Sequence, residues 1–309
     1  MFWNDKRFYS VDYFYKQKFG SKVMKVTIDG GFTCPNRDGT ISHKGCIFCS
    51  SRGSGDFCAD SIVPIKEQIQ YQIENRLSKW NTKAIIPYFQ AYTNTYAPVN
   101  KLKAMYEEAI SVDGVVGLCI ATRADCLSDD IISLIAEINK RYFVEVEIGL
   151  QSIHENSTRW MNRGYELPVF ENAVRRLKSA GISVVAHVII GLPNETFDNM
   201  CATIEYINKV GVDGVKLQGL YLTEDAPMIN DYNNGKLTFS TMEEYVVTVT
   251  ELIARLNPAI VIHRLTGDPP WKTLIAPKWA TDKRNILNKI NKRLEAEDLY
   301  QGKYFVANI

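Results

Sequence analysis

The feature that most constrains the fold of this chain is a repeated pairing of a short apolar strand with an amphipathic helix. The pairing occurs six times before residue 222, and several strands are almost uninterrupted apolar runs. Such runs are typical of parallel strands covered by helices on both faces. The predicted strands are Val23–Ile28, Ala84–Phe89, Val115–Ala121, Phe143–Leu150, Ser183–Ile190 and Gly214–Leu220. The pattern predicts an α/β fold, a partial, open parallel (β/α)6 barrel of the TIM type.

The strand–helix rhythm changes after Tyr221, and this change divides the chain into three predicted segments. Residues 1–22 form a basic N-terminal segment, 23–221 the partial barrel, and 222–309 a C-terminal α+β extension packed on the barrel. The elements predicted within the extension are a helix over 242–256, a strand over Ala259–Arg264, a basic amphipathic helix over Thr281–Glu297 and a final strand over Tyr304–Ile309.

The seven cysteines are an odd number and lack the spacing of a secreted disulfide framework. The first residues contain no apolar core followed by a cleavage site, and no apolar run approaches the roughly 18 residues of a membrane span. We therefore expect a cytoplasmic protein without a membrane partner, in which clustered thiols bind metal. Cys119, Cys126 and Cys201 are expected to be small buried apolar residues.

Three of the cysteines, Cys34, Cys46 and Cys49, lie in one loop directly after the first predicted strand. Three thiolates can bind three irons of a 4Fe–4S cluster and leave the fourth iron open for chemistry. Two other interpretations remain open. One is a structural zinc site with Cys58 or His43 as the fourth ligand. The other is a redox pair of Cys46 and Cys49, with Cys34 incidental.

The loop reads Thr33-Cys34-Pro35-Asn36-Arg37-Asp38-Gly39 and continues to Cys46-Ile47-Phe48-Cys49. It resembles the radical S-adenosylmethionine (SAM) superfamily, although eleven residues separate the first two cysteines where the familiar motif has three. The longer spacing is similar to that of the YhcC/YtqA group, which includes the MnmL-like tRNA-modifying enzymes. The resemblance covers nearly the whole chain and implies a 4Fe–4S cluster and SAM as cofactors.

The resemblance also implies SAM contacts near the ends of the second to fifth strands. The candidate contacts are Thr93, Asn94, Thr122, Arg123, Gln151, Ser152, Arg163, His187 and Gly191. Among them, the guanidinium of Arg163 suits the methionyl carboxylate of SAM, because its planar fork can donate two parallel hydrogen bonds. The sequence departs from the family where Gln90–Thr95 lacks the usual glycine-rich turn and where Ala124 replaces a proline.

The function implied by the resemblance is generation of a 5′-deoxyadenosyl radical that modifies the wobble uridine of tRNA. The implied reaction converts 5-carboxymethylaminomethyl-(2-thio)uridine to 5-aminomethyl-(2-thio)uridine, with a reductant such as flavodoxin or ferredoxin. The net charge of only +1 neither requires nor excludes RNA, but residues 272–293 are strongly basic. Two alternatives remain: a radical SAM enzyme acting on a small metabolite or peptide, and a zinc-stabilised RNA-binding protein without catalysis.

Overall fold

The computed structural model describes residues 3–80 and 82–307, the side chains of 76–80 excepted. All six predicted barrel strands are present, each within two residues of its predicted bounds. The strands are β1 (Val23–Ile28), β2 (Ala84–Phe89), β3 (Gly117–Thr122), β4 (Phe143–Gln151), β5 (Ser183–Ile190), β6 (Gly214–Gly219), β7 (Leu222–Thr223), β8 (Val261–Arg264) and β9 (Leu274–Ala276).

Seven of these strands form one parallel sheet, in the order β1-β2-β3-β4-β5-β6-β8, that curls into a half-barrel. The predicted class, an open parallel α/β barrel, is confirmed. The sheet has seven strands rather than the predicted six, because β8 pairs in parallel with β6 through Gly214–Val261 and Val215–Ile262. A long insertion separates β6 from β8 along the chain, so the strand–helix rhythm does not reveal that β8 belongs to the same sheet.

The helices lie outside the sheet, and several begin at a residue whose side chain caps the first turn. Thr196 and Asn199 form a capping box at the start of one helix, and Gly211 ends it with φ +88°. None of the helices in the described residues has the length and apolar character needed to cross a bilayer. The helices are α1 (Val11–Phe19), α2 (Ile65–Trp80), α3 (Val99–Ile110), α4 (Asp129–Asn139), α5 (Glu155–Trp160), α6 (Leu167–Ser179), α7 (Phe197–Val210), α8 (Ile229–Asn233), α9 (Met242–Arg255) and α10 (Lys283–Ala296).

The N-terminal segment lies at the open side of the half-barrel, between its two edge strands. Ser10 caps α1 by accepting a hydrogen bond from Tyr13 N at 3.3 Å. The backbone just before α1 pairs with β8, where Ile262 N donates to Tyr9 O at 2.7 Å. Helix α1 contacts both β1 and β8. The basic N-terminal segment therefore closes part of the gap that the missing strands of a full barrel leave open.

Within residues 222–309, α9 packs against α7 and α10 packs against α9, while the division of the chain at residue 221 stays a prediction. The buried face of α10 carries Ile286, Ile290 and Leu294. The final strand predicted over Tyr304–Ile309 is wrong for residues 304–307, and residues 308–309 lie outside the described residues. Its backbone is used elsewhere: Tyr304 N donates to Ala254 O at 2.7 Å, and the following residue closes a turn.

Candidate active site

A cavity of about 970 Å³ opens at the carboxyl ends of the parallel strands and reaches into the half-barrel. This is the end of a parallel sheet at which α/β proteins bind their ligands. The predicted site residues that line it are Cys34, Cys46, Cys49, Thr93, Thr122, Arg123, Gln151, Arg163 and His187. Asn94, Ser152 and Gly191 are not among its lining residues. The fold thus brings most of the predicted residues to one cavity.

The loop that carries the three cysteines is held by its own backbone and by Arg37. The Arg37 guanidinium donates to the carbonyls of Cys49 at 3.1 Å and Ser50 at 2.6 Å, and Cys49 N donates to Cys46 O at 3.1 Å. Gly45 has φ +68°, and a Cβ there would lie 2.8 Å from Arg37 Nε. Glycine is therefore required at this turn, which presents the thiols to the cavity.

The three thiols interact electrostatically, and all are partly exposed. Burial, with a contribution from the charges of Cys49 and Cys34, raises the pKa of Cys46 to about 12, and Arg123 acts in the opposite direction. Burial also raises the pKa of Cys49. Free thiolates are thus disfavoured here unless a metal compensates their charge. Three thiols facing one cavity form a donor set that fits a 4Fe–4S cluster with one open iron.

The zinc interpretation fits this geometry less well. Neither proposed fourth ligand, Cys58 or His43, lines the cavity. The Cys58 sulfur instead accepts a hydrogen bond from Gln90 Nε2 at 3.5 Å. In the described part of the chain, no three His, Cys, Asp or Glu side chains are grouped so that they could hold one metal ion. A zinc site gathers its ligands around one ion, whereas cubane thiolates bind separate irons.

Polar side chains after β2 and at the end of β3 are tied to neighbouring strand ends. Asn94 Nδ2 donates to Ala121 O at 2.9 Å, and its buried Oδ1 has no partner among the described residues. The hydroxyl of Thr122 lies 2.5 Å from that of Thr95. Thr93 and Thr122 line the cavity, so they are placed to contact a ligand. Asn94 is placed to position this turn.

Two buried arginines brace the loops that follow β3 and β4. Arg123 forms a two-point ion pair with Asp125, at 2.9 and 2.7 Å, and donates to Arg163 O at 2.8 Å. Arg163 donates to the carbonyls of Leu150 at 2.7 Å and Tyr165 at 2.9 Å. Its guanidinium is therefore engaged with backbone. Contact of Arg163 with the SAM carboxylate stays a prediction. It would require the guanidinium to give up some of its hydrogen bonds to backbone carbonyls.

The remaining predicted contacts lie at the ends of β4 and β5. Gln151 lines the cavity in a left-handed conformation, with φ +59°. Ser152 donates its hydroxyl to Glu195 Oε1 at 2.5 Å. Gly191 has φ +84°, with no atom within 4 Å of the position a Cβ would take. His187 lies deeper in the cavity, where its ring contacts charged side chains that the sequence analysis did not single out.

Those side chains form a buried ionic cluster inside the half-barrel, below the strand ends. Its members are Tyr15, Lys25, Tyr88, Cys119, Glu145, Glu147, His187, Lys216 and His263. Glu147 is at its centre and is fully buried. Its carboxylate oxygen Oε1 accepts hydrogen bonds from Lys25 and Cys119, each at 3.1 Å. The other oxygen, Oε2, accepts from Tyr88 at 2.6 Å, from His187 at 2.7 Å and from Lys216.

The charges of the buried ionic cluster balance at neutral pH. Burial alone would raise the pKa of Glu145 and Glu147, but neighbouring lysines hold both below the ordinary value. Burial lowers the pKa of Lys216 to about 8. Burial also opposes the charge on Lys25, yet surrounding anionic groups keep its pKa high. Burial lowers the pKa of both histidines, so two carboxylates face two ammonium groups and two neutral rings.

The sequence does contain a signal for this cluster. In Val144-Glu145-Val146-Glu147-Ile148, charged and apolar residues alternate with the period of two that separates the faces of a strand. Lys25 and Lys216 interrupt β1 and β6 in the same way. Alternation within strands whose outer face is covered by helices indicates a polar barrel interior. The apolar content of these strands alone does not.

We expect the buried state of His263 to make folding sensitive to mild acid. Its folded pKa is lowered by burial to about 4, from 6.5. Between these values the unfolded chain binds more protons, so the free energy of unfolding falls as the pH is lowered. From pH 7 to pH 5 the expected loss is about 2 kcal/mol from this residue.

Denaturant unfolding at several pH values measures this effect. His263→Gln should reduce the dependence over that range and leave the part contributed by His187, whose pKa burial also lowers. An unchanged slope in the variant would contradict the assignment.

Comparison with protein-family models gives two matches. A model of the radical SAM superfamily matches residues 36–207, which include Cys46 and Cys49 and strands β2 to β5. A model of the radical SAM C-terminal domain matches residues 212–296, from β6 to the end of α10. Together they cover most of the chain, including residues 222–296 of the predicted extension.

Several curated proteins are similar over much of their length. YtqA of Bacillus subtilis is 42% identical over 302 residues, covering 97% of this chain and 94% of that protein. Protein YhcC of Escherichia coli is 36% identical over 270 residues, covering 86% of this chain and 85% of that protein. A tRNA-2-methylthio-N(6)-dimethylallyladenosine synthase of Fusobacterium nucleatum is 26% identical over 176 residues, covering 52% of this chain and 40% of that protein.

Among solved structures, the Elp3 protein of Methanocaldococcus infernus matches with a TM-score of 0.69 at 18% identity. The match covers 91% of this chain, which spans 64% of that chain. At this level of identity the likeness concerns the fold alone, and it supports the half-barrel described above.

Proposed function

Because this chain belongs to the radical SAM superfamily, and within it to the YhcC/YtqA group, we propose that it modifies the wobble uridine of tRNA. The proposed reaction converts 5-carboxymethylaminomethyl-(2-thio)uridine and water to 5-aminomethyl-(2-thio)uridine and glyoxylate. The two electrons lost by the carboxymethyl group are taken up as SAM is cleaved to methionine and 5′-deoxyadenosine. The superfamily uses a 4Fe–4S cluster and SAM. When bound, they supply a 5′-deoxyadenosyl radical that abstracts hydrogen from an unreactive carbon. A reductant is required, and we propose a cytoplasmic flavodoxin or ferredoxin.

The observation that carries this proposal is the single cavity shared by the three thiols and a polar interior. Cys34, Cys46 and Cys49 would hold three irons at its mouth. Its volume of about 970 Å³ is at the upper end of the range for ligand pockets. That volume leaves space for a substrate group beside SAM. The chain's own contribution is to place that group near the reactive carbon and to exclude water.

The proposed RNA contact rests on the rim of the cavity rather than on the basic helix as a whole. Much of the charge on α10 is compensated, since Lys283 pairs with Asp268 and Lys289 with Glu243. At the rim, the Trp271 side chain is 73% exposed, and Lys272 Nζ lies 5.6 Å from the centre of its ring. An exposed aromatic ring beside a cation suits a splayed-out base.

The proposal is tested by mass spectrometry of tRNA nucleosides from cells with and without the gene. We expect cells lacking the protein to accumulate the 5-carboxymethylaminomethyl nucleoside and to lose the 5-aminomethyl form. Complementation with the wild-type gene should restore the ratio, and complementation with a Cys46→Ala variant should not. An unaltered nucleoside profile would refute the tRNA assignment and favour the alternative of a small metabolite or peptide substrate, which the enclosed polar cavity also accommodates.

A further inference from the structure

His187, itself one of the predicted SAM contacts, and Lys216 stand side by side on the wall of the cavity, below the strand ends that carry the other predicted contacts. They occupy paired positions on the neighbouring strands β5 and β6, and both line the cavity. Each binds the same carboxylate oxygen, Glu147 Oε2, His187 at 2.7 Å. The imidazole ring and the ammonium group are therefore held close together by this one oxygen.

Each of these two residues has a hydrogen-bonding group without a partner among the described residues. Glu147 is ionised and can only accept, so the Nε2 of His187 carries the proton and its Nδ1 carries a lone pair. Within the described residues, that Nδ1 has no hydrogen-bond partner. Lys216 has three N–H groups and two acceptors, Glu147 and the hydroxyl of Tyr88 at 3.2 Å. One donor of Lys216 and one acceptor of His187 are thus left for a ligand.

The second lysine of the buried ionic cluster differs on this point. Lys25 lies 3.0 Å from Glu145 Oε2, 3.1 Å from Glu147 Oε1 and 3.4 Å from Cys119 Sγ. Its three donors are therefore all engaged, and it serves as a structural counterion. Lys216 is the ammonium group of the cluster with a hydrogen bond still to give.

The balance of charge restricts the ligand further. Since the cluster is neutral, a ligand with net charge would leave an uncompensated charge in a buried site, at considerable cost. A ligand that carries one positive and one negative charge close together adds no net charge and avoids this cost. It also matches a donor placed next to an acceptor, because its anion accepts from Lys216 and its ammonium N–H donates to His187.

We propose that His187 and Lys216 form a recognition site for an N-substituted glycine group, a zwitterion whose carboxylate binds Lys216 and whose ammonium binds His187. This inference rests on the proposed function, in which the uridine carries a carboxymethylamino substituent of this kind. The site positions the carbon between the two charged groups inside the cavity. Glu147 acts through both residues by holding their heads in place.

The test compares two nucleosides that differ only in the carboxylate, 5-carboxymethylaminomethyluridine and 5-methylaminomethyluridine. Their affinities are measured by calorimetry on the cluster-loaded, unreduced protein with SAM present. Wild type should bind the carboxylate-bearing nucleoside at least about tenfold more tightly, the value of one charge-assisted hydrogen bond. In Lys216→Met this preference should disappear while the Kd for SAM stays within twofold. The exposed control Lys209→Met should behave as wild type.

Each other outcome overturns the site. If wild type binds the two nucleosides with similar Kd values, the proposed site is refuted without any variant. This outcome does not depend on whether Lys216→Met folds. The site is also refuted if Lys216→Met still binds the carboxylate-bearing nucleoside more tightly. It is refuted as well if Lys216→Met loses SAM binding together with nucleoside binding, because the zwitterion recognised would then be SAM itself.

A second probe pair, N-benzylglycine and N-methylbenzylamine, separates this proposal from the tRNA assignment. Suppose that wild type prefers N-benzylglycine, that Lys216→Met loses this preference, and that tRNA nucleosides are unchanged in cells lacking the protein. The proposed site is then supported and the tRNA substrate is refuted. If the nucleosides change but neither probe pair is discriminated, the substrate stands and the site falls.

Discussion

Replacement of Cys46 by alanine is expected to abolish both the iron-dependent absorbance of the anaerobically reconstituted protein and its cleavage of SAM. Removing one of three thiolates leaves two, which cannot hold the cubane with a single open iron. The brown colour, the content of about four irons and the formation of 5′-deoxyadenosine should therefore be lost together. Iron analysis, absorbance and chromatography of the SAM products measure the three quantities on the same sample.

The matched control is Cys201→Ala. Cys201 lies on α7, is half-buried and is not among the residues that line the cavity. This variant should keep its iron and its SAM cleavage. If Cys46→Ala cleaves SAM at a rate similar to wild type, Cys46 is not a cluster ligand. If both variants lose iron alike, the loss reflects a general sensitivity to cysteine removal and the assignment fails.

Glu147→Gln is expected to cost about 3–5 kcal/mol of the free energy of unfolding, the range found when one partner of a buried ion pair is removed. The variant keeps the shape of the side chain but deletes the charge that Lys25 and Lys216 share. It also places amide N–H groups against a site that contains mainly donors. Denaturant unfolding of wild type and variant at neutral pH measures the difference.

A surface carboxylate provides the comparison for this prediction. Glu137 lies on the exposed face of α4 and pairs with Lys140, which caps that helix, so Glu137→Gln should leave the unfolding midpoint almost unchanged. The double variant Glu147→Gln, Lys216→Met should recover part of the loss, because it removes an ammonium group left without its counterion. A cost below about 1 kcal/mol for Glu147→Gln would show that the carboxylate is dispensable for folding.

The barrel could be predicted from sequence because each of the strands β2 to β5 is followed by a helix at short range. The apolar runs and the glycine at Gly211 are local signals, and they place element boundaries within a few residues. Strand β8 could not be assigned to the sheet in this way. Its four residues join β6 across an insertion, and only tertiary pairing reveals the neighbour. The predicted terminal strand failed because its backbone donors are used by α9 and a turn.

The three cysteines could be predicted as a site because they are close in sequence and follow a strand. The interior chemistry is spread over the whole barrel. Glu147 gathers donors from β1, β2, β3, β5 and β6, and no local pattern links them. Prediction of Arg163 as a SAM contact followed from the family resemblance and from the chemistry of its guanidinium. The carbonyls that engage it belong to loops whose proximity depends on the fold.

The way in which the N-terminal segment closes the half-barrel constrains when the protein can mature on the ribosome. Tyr9 O accepts from Ile262 N at 2.7 Å, and Arg7 O accepts from Gln301 N at 2.8 Å, so residues 7–9 reach these contacts only once residues 262 and 301 have been synthesised. Contacts of such long sequence separation form late in folding. Until residue 262 has been synthesised, the interior of the half-barrel therefore lacks this closure. A cavity closed on this side can therefore form only after residue 301 has been synthesised.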